Sequence, residues 1–331
     1  MGKRLNPAMS VLPRIGWRAM GRAAAMIGMS LSLAVCAPKV QKFGAVEPNP
    51  AAAPGLTAAG LVATDGQRLP VKKWNGDGPV TAVIIALHGF NDYRMAFDAP
   101  ATWWARHGIT TYAYDQRGFG DTAGRGIWAG TEALKSDLRL MVSSVRRQHP
   151  DARVLVLGES MGGAVAMAAL CDGEGGRLPV DGVILAAPAV WGWSSMNPLY
   201  RVALWLSAHT IPWKRVTGGS LEITPSDNIE MLRALGRDPL VIKKTRIDAV
   251  YGLTGLMERA YRNASKLNVP ILLLYGRHDE IIPAEPIHKV AERLNGASRT
   301  IIYENGYHML LRDLQAEVVW RDILEWIGGD R

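Results

Sequence analysis

The stretch "RVLVLGESMGGAVAMAAL", Arg153 to Leu170, decides the fold. Its first part, Val154-Leu155-Val156-Leu157, is short, apolar and rich in β-branched residues, as a parallel strand covered on both faces should be. Its second part reads as a helix, and Gly162, Gly163 and Ala164 through Ala169 are small enough for that helix to lie tightly on a sheet. The junction Gly158-Glu159-Ser160-Met161-Gly162 fits G-x-S-x-G, a spacing that allows a sharp, strained strand-to-helix turn with the Ser160 hydroxyl held above the carboxyl edge of the sheet. A glycine-rich turn with a capping serine has the same five residues. The rest of the chain has to separate the two readings.

From residue 56 onward, strand and helix patterns alternate. An N-terminal hairpin is expected around Asp65-Gly66 in "LVATDGQRLPVKKWNG". A buried strand then covers 80–87, followed by a short helix in "DAPATWWARHG" and the strand "ITTYAYD". The long amphipathic helix in "IWAGTEALKSDLRLMVSSVRRQHP" ends at Pro150 and leads into the 153–157 strand and its helix. The strand "VDGVILAAPA" precedes a long interruption. After it come the strand "VPILLLYGRHD", the helix "PAEPIHKVAERLNG", the strand "SRTIIYENG" and a final helix in "LLRDLQAEVVWRDILEWIGG". This rhythm predicts an α/β protein with a doubly wound, mostly parallel sheet, in which chemistry sits just beyond the carboxyl ends of the strands.

Those positions hold a consistent set. His88-Gly89-Phe90 follows the first long strand, Ser160 follows the strand at 153–157, Asp279 follows the strand at 271–275, and His308 follows the last strand. With these residues in view, the chain resembles the α/β-hydrolase superfamily. The segments "DQRGFGDT" (115–122), "GESMGG" (158–163), "GRHDEIIP" (276–283) and "GYHMLLRD" (306–313) are similar to the monoacylglycerol lipase and lysophospholipase branch, the serine aminopeptidase S33-like group. The resemblance runs from about residue 56 to 328.

The residue types suit acyl transfer. A serine hydroxyl needs a base, and His308 can take its proton and later return it to the leaving alcohol. Asp279 would accept the other ring N–H, fix the tautomer and stabilise the imidazolium. The backbone N–H groups of Phe90 and Met161 are the expected oxyanion donors, and Ser160 lies at a helix start, whose dipole favours developing negative charge. His88 lies on the oxyanion loop, where the resemblance implies a structural role, and Asp115 is expected to hold the "DQRG" turn. His278 is expected to face away, and His107, His149, His209 and His288 are read as surface residues. Glu159 departs from the histidine that many relatives carry there; its expected effect is on the local field only. "GFGDTA" (118–123) matches a dinucleotide signature, but a lone match without a suitable βαβ unit and a placed acid carries little weight. No Walker loop, His-Glu-x-x-His or zinc-type cysteine pair occurs, so neither a cofactor nor a metal is implied.

The 331 residues are 48% hydrophobic and 21% charged, enough for one large α/β domain with an insertion. The formal charge of +8 is concentrated at the N-terminus: residues 1–35 carry Lys3, Arg4, Arg14, Arg18 and Arg22 and no acid, and the remainder has 33 basic against 30 acidic residues. That distribution argues against nucleic-acid binding. The uncharged run Ala23 to Val35 is too short to span a bilayer and fits a signal-peptide core. It ends in "LAVC", which resembles a bacterial lipoprotein signal with Cys36 as the lipidation candidate, although Val35 stands where that signal usually has a smaller residue. The expected organisation is therefore an export signal (1–36), a Pro/Ala-rich tether (37–55), a hydrolase core (56–189 and 263–331) and a cap insertion (190–262). An exported bacterial protein anchored to a membrane and facing the periplasm is the expected setting; an uncleaved segment with the body on the cytoplasmic side is the alternative. Cys171 is left without a partner if Cys36 is lipidated, and is expected as a buried thiol.

The resemblance implies that the insertion forms a mostly helical cap over Ser160. It carries Trp191, Trp193, Trp205 and Trp213. Trp191 and Trp193 are expected to line the pocket for an acyl chain, the others to serve mainly the cap's own packing. The expected activity is carboxylic ester hydrolysis on a single-acyl lipid, such as a monoacylglycerol or lysophospholipid. An aminopeptidase-like hydrolase, with Glu222, Asp227, Glu230 or Asp238 receiving a free amine, and an anchored binding protein on an inactive hydrolase fold are the alternatives.

Overall fold

The computed structural model describes residues 37–41, 53–171, 178–217, 223–295 and 297–329. The export signal, Cys36 and Glu222 lie outside them.

A seven-stranded sheet organises the core. Its strands are β1 (Val71–Trp74), β2 (Ala82–Leu87), β3 (Ile109–Tyr114), β4 (Arg153–Glu159), β5 (Gly182–Ala186), β6 (Ile271–Gly276) and β7 (Ser298–Tyr303), in the order β7-β6-β5-β4-β2-β3-β1. Only the edge pair of β1 with β3 is antiparallel. Every residue of β2, β3, β5 and β6 is buried, which is why these strands read as continuous apolar runs rather than as alternations. Successive side chains still point to opposite faces. Val83, Ile85, Val154 and Val156 join one core layer, while Ile84, Ala86, Leu155 and Leu157 join the other.

The helices are α1 (Asp98–Ala105), α2 (Thr131–Gln148), α3 (Met161–Cys171), α4 (Pro198–Thr210), α5 (Ile229–Arg237), α6 (Ile247–Asn263), α7 (Ala284–Ala291) and α8 (Ala316–Gly328). Helices α1 and α8 cover the second face through Trp104 and Ile323. On the first face α3 lies between the sheet and helices α2 and α6, so it has no polar side, and its small residues are what let three layers approach. Cys171 ends this helix and donates its thiol hydrogen to the Asn263 carbonyl at 3.1 Å.

The structure departs from the sequence expectations in four places. The N-terminal hairpin exists, with Leu61 opposite Leu69, but Gly55–Thr57 adds a third strand, and the chain then crosses to the main sheet at β1. Part of the stretch expected as a free tether is bound to the body: Gln41 donates its backbone N–H to the Trp128 carbonyl at 2.9 Å, and Lys39 donates its own to Asp248 at 3.2 Å. Helix α6 falls within the expected cap, yet its Leu256, Met257, Ala260 and Tyr261 belong to the main core, because this face packs on α3. The final helix starts at Ala316 rather than near Leu310. The preceding turn is held by Asp313, which accepts the Tyr307 N–H at 2.8 Å and the Ser226 hydroxyl at 2.6 Å.

Candidate active site

The turn at Ser160 is tight because two glycines permit it. A Cβ on Gly158 would stand 2.5 Å from the Gly162 carbonyl carbon, and one on Gly162 would stand 2.6 Å from that of Leu87. Both lie far inside van der Waals contact, so β2, β4 and the start of α3 meet only with glycine at these positions. Ser160 itself takes φ +51°, a left-handed conformation that costs a non-glycine residue of order 1–3 kcal/mol and persists only where the surroundings impose it. They do so here: the Ser160 N–H donates to Ala186 at 2.9 Å, and its carbonyl accepts from Ala189 at 2.9 Å and Ala164 at 3.2 Å.

Around this turn the other expected residues assemble. His308 Nδ1 lies 2.8 Å from Asp279 Oδ2, and both side chains are buried. The second oxygen of Asp279 accepts the N–H groups of Ile281 and Ile282 at 2.8 and 2.9 Å, which fixes the carboxylate on its loop. With Nδ1–H donated to Asp279, Nε2 is the basic nitrogen of the imidazole. Ser160 and His308 line one cavity of about 350 Å³. Phe90 lines it as well, and Gly89 passes so close to Ser160 that a Cβ there would stand 3.4 Å from the serine Cβ. Met161 begins α3, where the first backbone N–H groups have no partner within the helix. A hydroxyl, an imidazole, a carboxylate and nearby backbone amide groups at one sheet edge can carry acyl transfer to water.

His88 is placed as expected. Its Nδ1 lies 2.8 Å from the Gly89 carbonyl, and its Nε2 accepts the Gln116 N–H at 3.0 Å, so one neutral tautomer satisfies both ends. Burial depresses its pKa, which leaves it a buttress rather than a base. Asp115 accepts the N–H groups of Arg94 and Asp121, and Arg117 is buried between Asp137 and Asp65, which accounts for "DQRG" as a structural turn. His278 is exposed and tilts against Tyr307.

Residues 78–315 match the family described as serine aminopeptidase, S33. The chain belongs to this family. Among its relatives, the monoacylglycerol lipase of Mycolicibacterium smegmatis (strain ATCC 700084 / mc(2)155) is 26% identical over 272 residues, covering 79% of this chain and 93% of the relative. The solved structure of Paleococcus ferrophilus monoacylglycerol lipase superposes with a TM-score of 0.65 at 21% identity, over 78% of this chain and 98% of that one. A soluble variant of monoglyceride lipase from Saccharomyces cerevisiae, in complex with a substrate analogue, gives 0.68 at 17% identity, over 87% and 98%. The sheet and its helices are those of the α/β-hydrolase fold.

The two tryptophans expected in the pocket part company. Trp191 lines the Ser160 cavity. Trp193 does not: a Cβ on Gly192 would lie 2.5 Å from the Glu258 nitrogen, so the chain presses onto α6 there. It then turns, with the Ser195 N–H bonded to the Gly192 carbonyl at 3.2 Å. Within that turn Trp193 lines a separate outer cleft with Trp205, Leu206 and Tyr251. Trp205 and Trp213 are each 51% exposed and form no cap core.

Sequence reasoning missed the cap's grip on the loop that follows Phe90. Asn91 donates to Thr245 Oγ1 at 2.7 Å and accepts the Ile242 N–H at 2.9 Å, and the Tyr93 hydroxyl donates to Asp238 at 2.7 Å. It also missed Arg312 and Asp92, which line the cavity beside Glu159. The segments "HGFND" and "GYHMLLRD" are plain in the sequence, but a charge two or four residues past a site residue signals nothing by itself.

Proposed function

We propose that this protein is a serine hydrolase that cleaves carboxylic esters of single-acyl lipids, of the monoacylglycerol or lysophospholipid type, through an acyl-enzyme. The observation that carries the reading is the cavity itself. Ser160 and His308 share a space walled by Phe90, Trp191, Leu253, Met257, Ile281 and Met309, an apolar surface suited to one acyl chain. In this reading His308 Nε2 takes the Ser160 proton as the hydroxyl oxygen attacks the ester carbonyl, and the oxyanion is met by the Phe90 and Met161 N–H groups. The imidazolium, held by Asp279, passes the proton to the leaving alcohol. Water then repeats the sequence on the acyl-enzyme.

The relatives named as monoacylglycerol or monoglyceride lipases support this substrate class over an N-terminal amine. Of the four acids expected to receive such an amine, Asp227 accepts the Leu314 N–H and Asp238 accepts Tyr93 and Leu240, so these two are committed within the fold, while Glu230 is exposed on α5. The test is hydrolysis of p-nitrophenyl esters of graded chain length beside aminoacyl amides. Faster turnover of medium or long esters is expected, and a preference for the amides would overturn the reading.

The setting belongs to the same proposal. A lipid on Cys36 would hold the enzyme at a membrane surface, where its substrates reside, and the exposed apolar residues Leu199, Val202 and Trp205 of α4 suit that location. Replacing Cys36 with Ser should release the protein from the membrane fraction and abolish labelling by a fatty-acid analogue. Labelling that persists in the variant, or is absent from the wild type, removes the anchor.

A further inference from the structure

The polar end of the Ser160 cavity is built on one guanidinium. Arg312 Nη1 meets Asp92 Oδ2 at 2.7 Å and Nη2 meets Glu159 Oε2 at 3.2 Å, and all three side chains are less than a tenth exposed. Each comes from a different segment at the carboxyl edge of the sheet. Asp92 lies two residues beyond Phe90, Glu159 immediately precedes Ser160, and Arg312 lies four residues beyond His308. One side chain therefore bridges the three segments whose relative placement the proposed chemistry needs. The bridge is itself anchored. The Arg312 backbone donates to Met309 at 2.8 Å and accepts from Asn228 Nδ2 at 2.9 Å, and Asp92 accepts the Tyr93 N–H at 2.8 Å.

A buried ion pair is weak evidence for added stability, since desolvation offsets much of the attraction. Its geometry here says more. Arginine's planar fork reaches two carboxylates at once, which a lysine ammonium does not do in a fixed orientation. The charges do not cancel either: two carboxylates face one guanidinium, and Glu159 Oε1 has no hydrogen-bond partner among the described residues. The groups facing this cluster are His308, His88, which is held neutral by its two hydrogen bonds, and Asp313, which is occupied by Ser226 and Tyr307. Burial raises the Glu159 pKa, and the neighbouring Arg312 charge works against that rise.

We propose that Arg312, gripped by Asp92 and Glu159, is a positioning residue that fixes the oxyanion loop, the nucleophile turn and the histidine loop relative to one another, and that the surplus negative charge at Glu159 favours the imidazolium form of His308. The proposal rests on the Ser160–His308–Asp279 reading above. It goes beyond the local-field effect expected of Glu159 from sequence, because it assigns the field a target and a mechanical partner.

Glu159→Gln keeps the shape and removes the charge. With less negative potential nearby, the His308 imidazolium is less stabilised, and the acid limb of kcat/KM moves to lower pH. A purely structural role lowers the rate equally at every pH and leaves the limb in place. Arg312→Met releases all three loops, and labelling of Ser160 by a fluorophosphonate should slow on the order of 10²-fold, the scale of a small misplacement at a reacting centre. Arg312→Lys should recover part of that loss. The experiment measures labelling rate and the pH profile of ester hydrolysis for the full chain and these variants, with thermal melts to establish folding. Wild-type protein whose Ser160 is not labelled overturns the triad reading and this proposal with it. Wild-type labelling at Ser160, with the Glu159→Gln acid limb unmoved or Arg312→Lys labelled at the wild-type rate, overturns the proposal alone. If Arg312→Met does not fold, the Glu159→Gln profile decides.

Discussion

The carboxyl edge of the sheet and the cap above it are built on opposite principles. At the edge, backbone meets backbone: Gly158 and Gly162 have no room for a methyl group, Ser160 is held in a left-handed conformation, and Asp279 is pinned by two amide groups. In the cap, α5 buries none of its residues, Leu199 is 77% exposed, and Trp205 and Trp213 stand half in solvent. The edge can hold reacting groups to within tenths of an ångström because close packing leaves it one arrangement. The cap has few packed contacts to lose, so it can differ between relatives, or shift around a substrate, at little cost to the fold. In the proposed reading, reaction type and substrate choice are divided between the two regions.

The sharpest break in this division is Ser160→Ala. The edge is otherwise unchanged by it, so the fold and melting temperature should be kept while ester hydrolysis falls on the order of 10⁴- to 10⁶-fold. His308→Ala and Asp279→Ala should also be severe, and Ser160→Ala with His308→Ala should cost little more than Ser160→Ala alone, since the residues act as one unit. Near-wild-type turnover by folded Ser160→Ala, or additive losses in the double mutant, would detach the chemistry from this edge.

A second test makes one substitution in both regions. Gly162→Ala forces a methyl group onto the Leu87 carbonyl, and overpacking of this kind destabilises by about 1–3 kcal/mol or more. It should also misplace Ser160 and depress kcat. Gly236 lies in helix α5, and a methyl group added to it would meet nothing within 4 Å. Gly236→Ala should therefore stabilise by about 0.5–1 kcal/mol, the ordinary helix gain of alanine over glycine. Chemical denaturation of both variants measures the difference. Equal effects would show the edge to be no more tightly determined than the cap.

Most of the edge was legible in the sequence, because what builds it is local. Apolar runs give covered strands, glycine spacing gives the turn, and strand order puts Ser160, Asp279 and His308 on loops at one side. The cap was less legible for the reason that distinguishes it. Its apolar residues are not sorted by burial, so hydrophobicity did not tell Trp191, on the cavity, from Trp193, on an outer cleft. That difference turns on Gly192 pressing against Glu258, a contact 66 residues apart that no local pattern encodes. The Arg312 cluster was hidden in the same way, since its three charges meet only after the sheet has assembled. Helix α6 misled in the other direction: its sequence position puts it with the insertion, yet it packs with the core.

The smallest expected effect is the one that separates the two tryptophans. Trp191 lines the cavity with Ser160, whereas Trp193 packs on Tyr251 with ring centroids 5.1 Å apart and faces the outer cleft. An acyl chain along Trp191 would gain about 0.8 kcal/mol for each methylene buried, a few-fold in kcat/KM per methylene. The amide groups near Ser160 would meet only the ester oxygen and so be indifferent to chain length. Trp191→Ala should therefore flatten the rise of kcat/KM with acyl length while leaving acetyl esters nearly unchanged. Trp193→Ala should leave the slope as it is, because its ring borders the outer cleft instead. The measurement is kcat/KM for both variants and wild type over a series of acyl esters from short to long. Parallel lines for Trp191→Ala, displaced equally at every length, would mean that this residue only supports the cap. A flattened line for Trp193→Ala would mean that the outer cleft and the Ser160 cavity join when substrate binds, and the boundary between edge and cap would have to move outward.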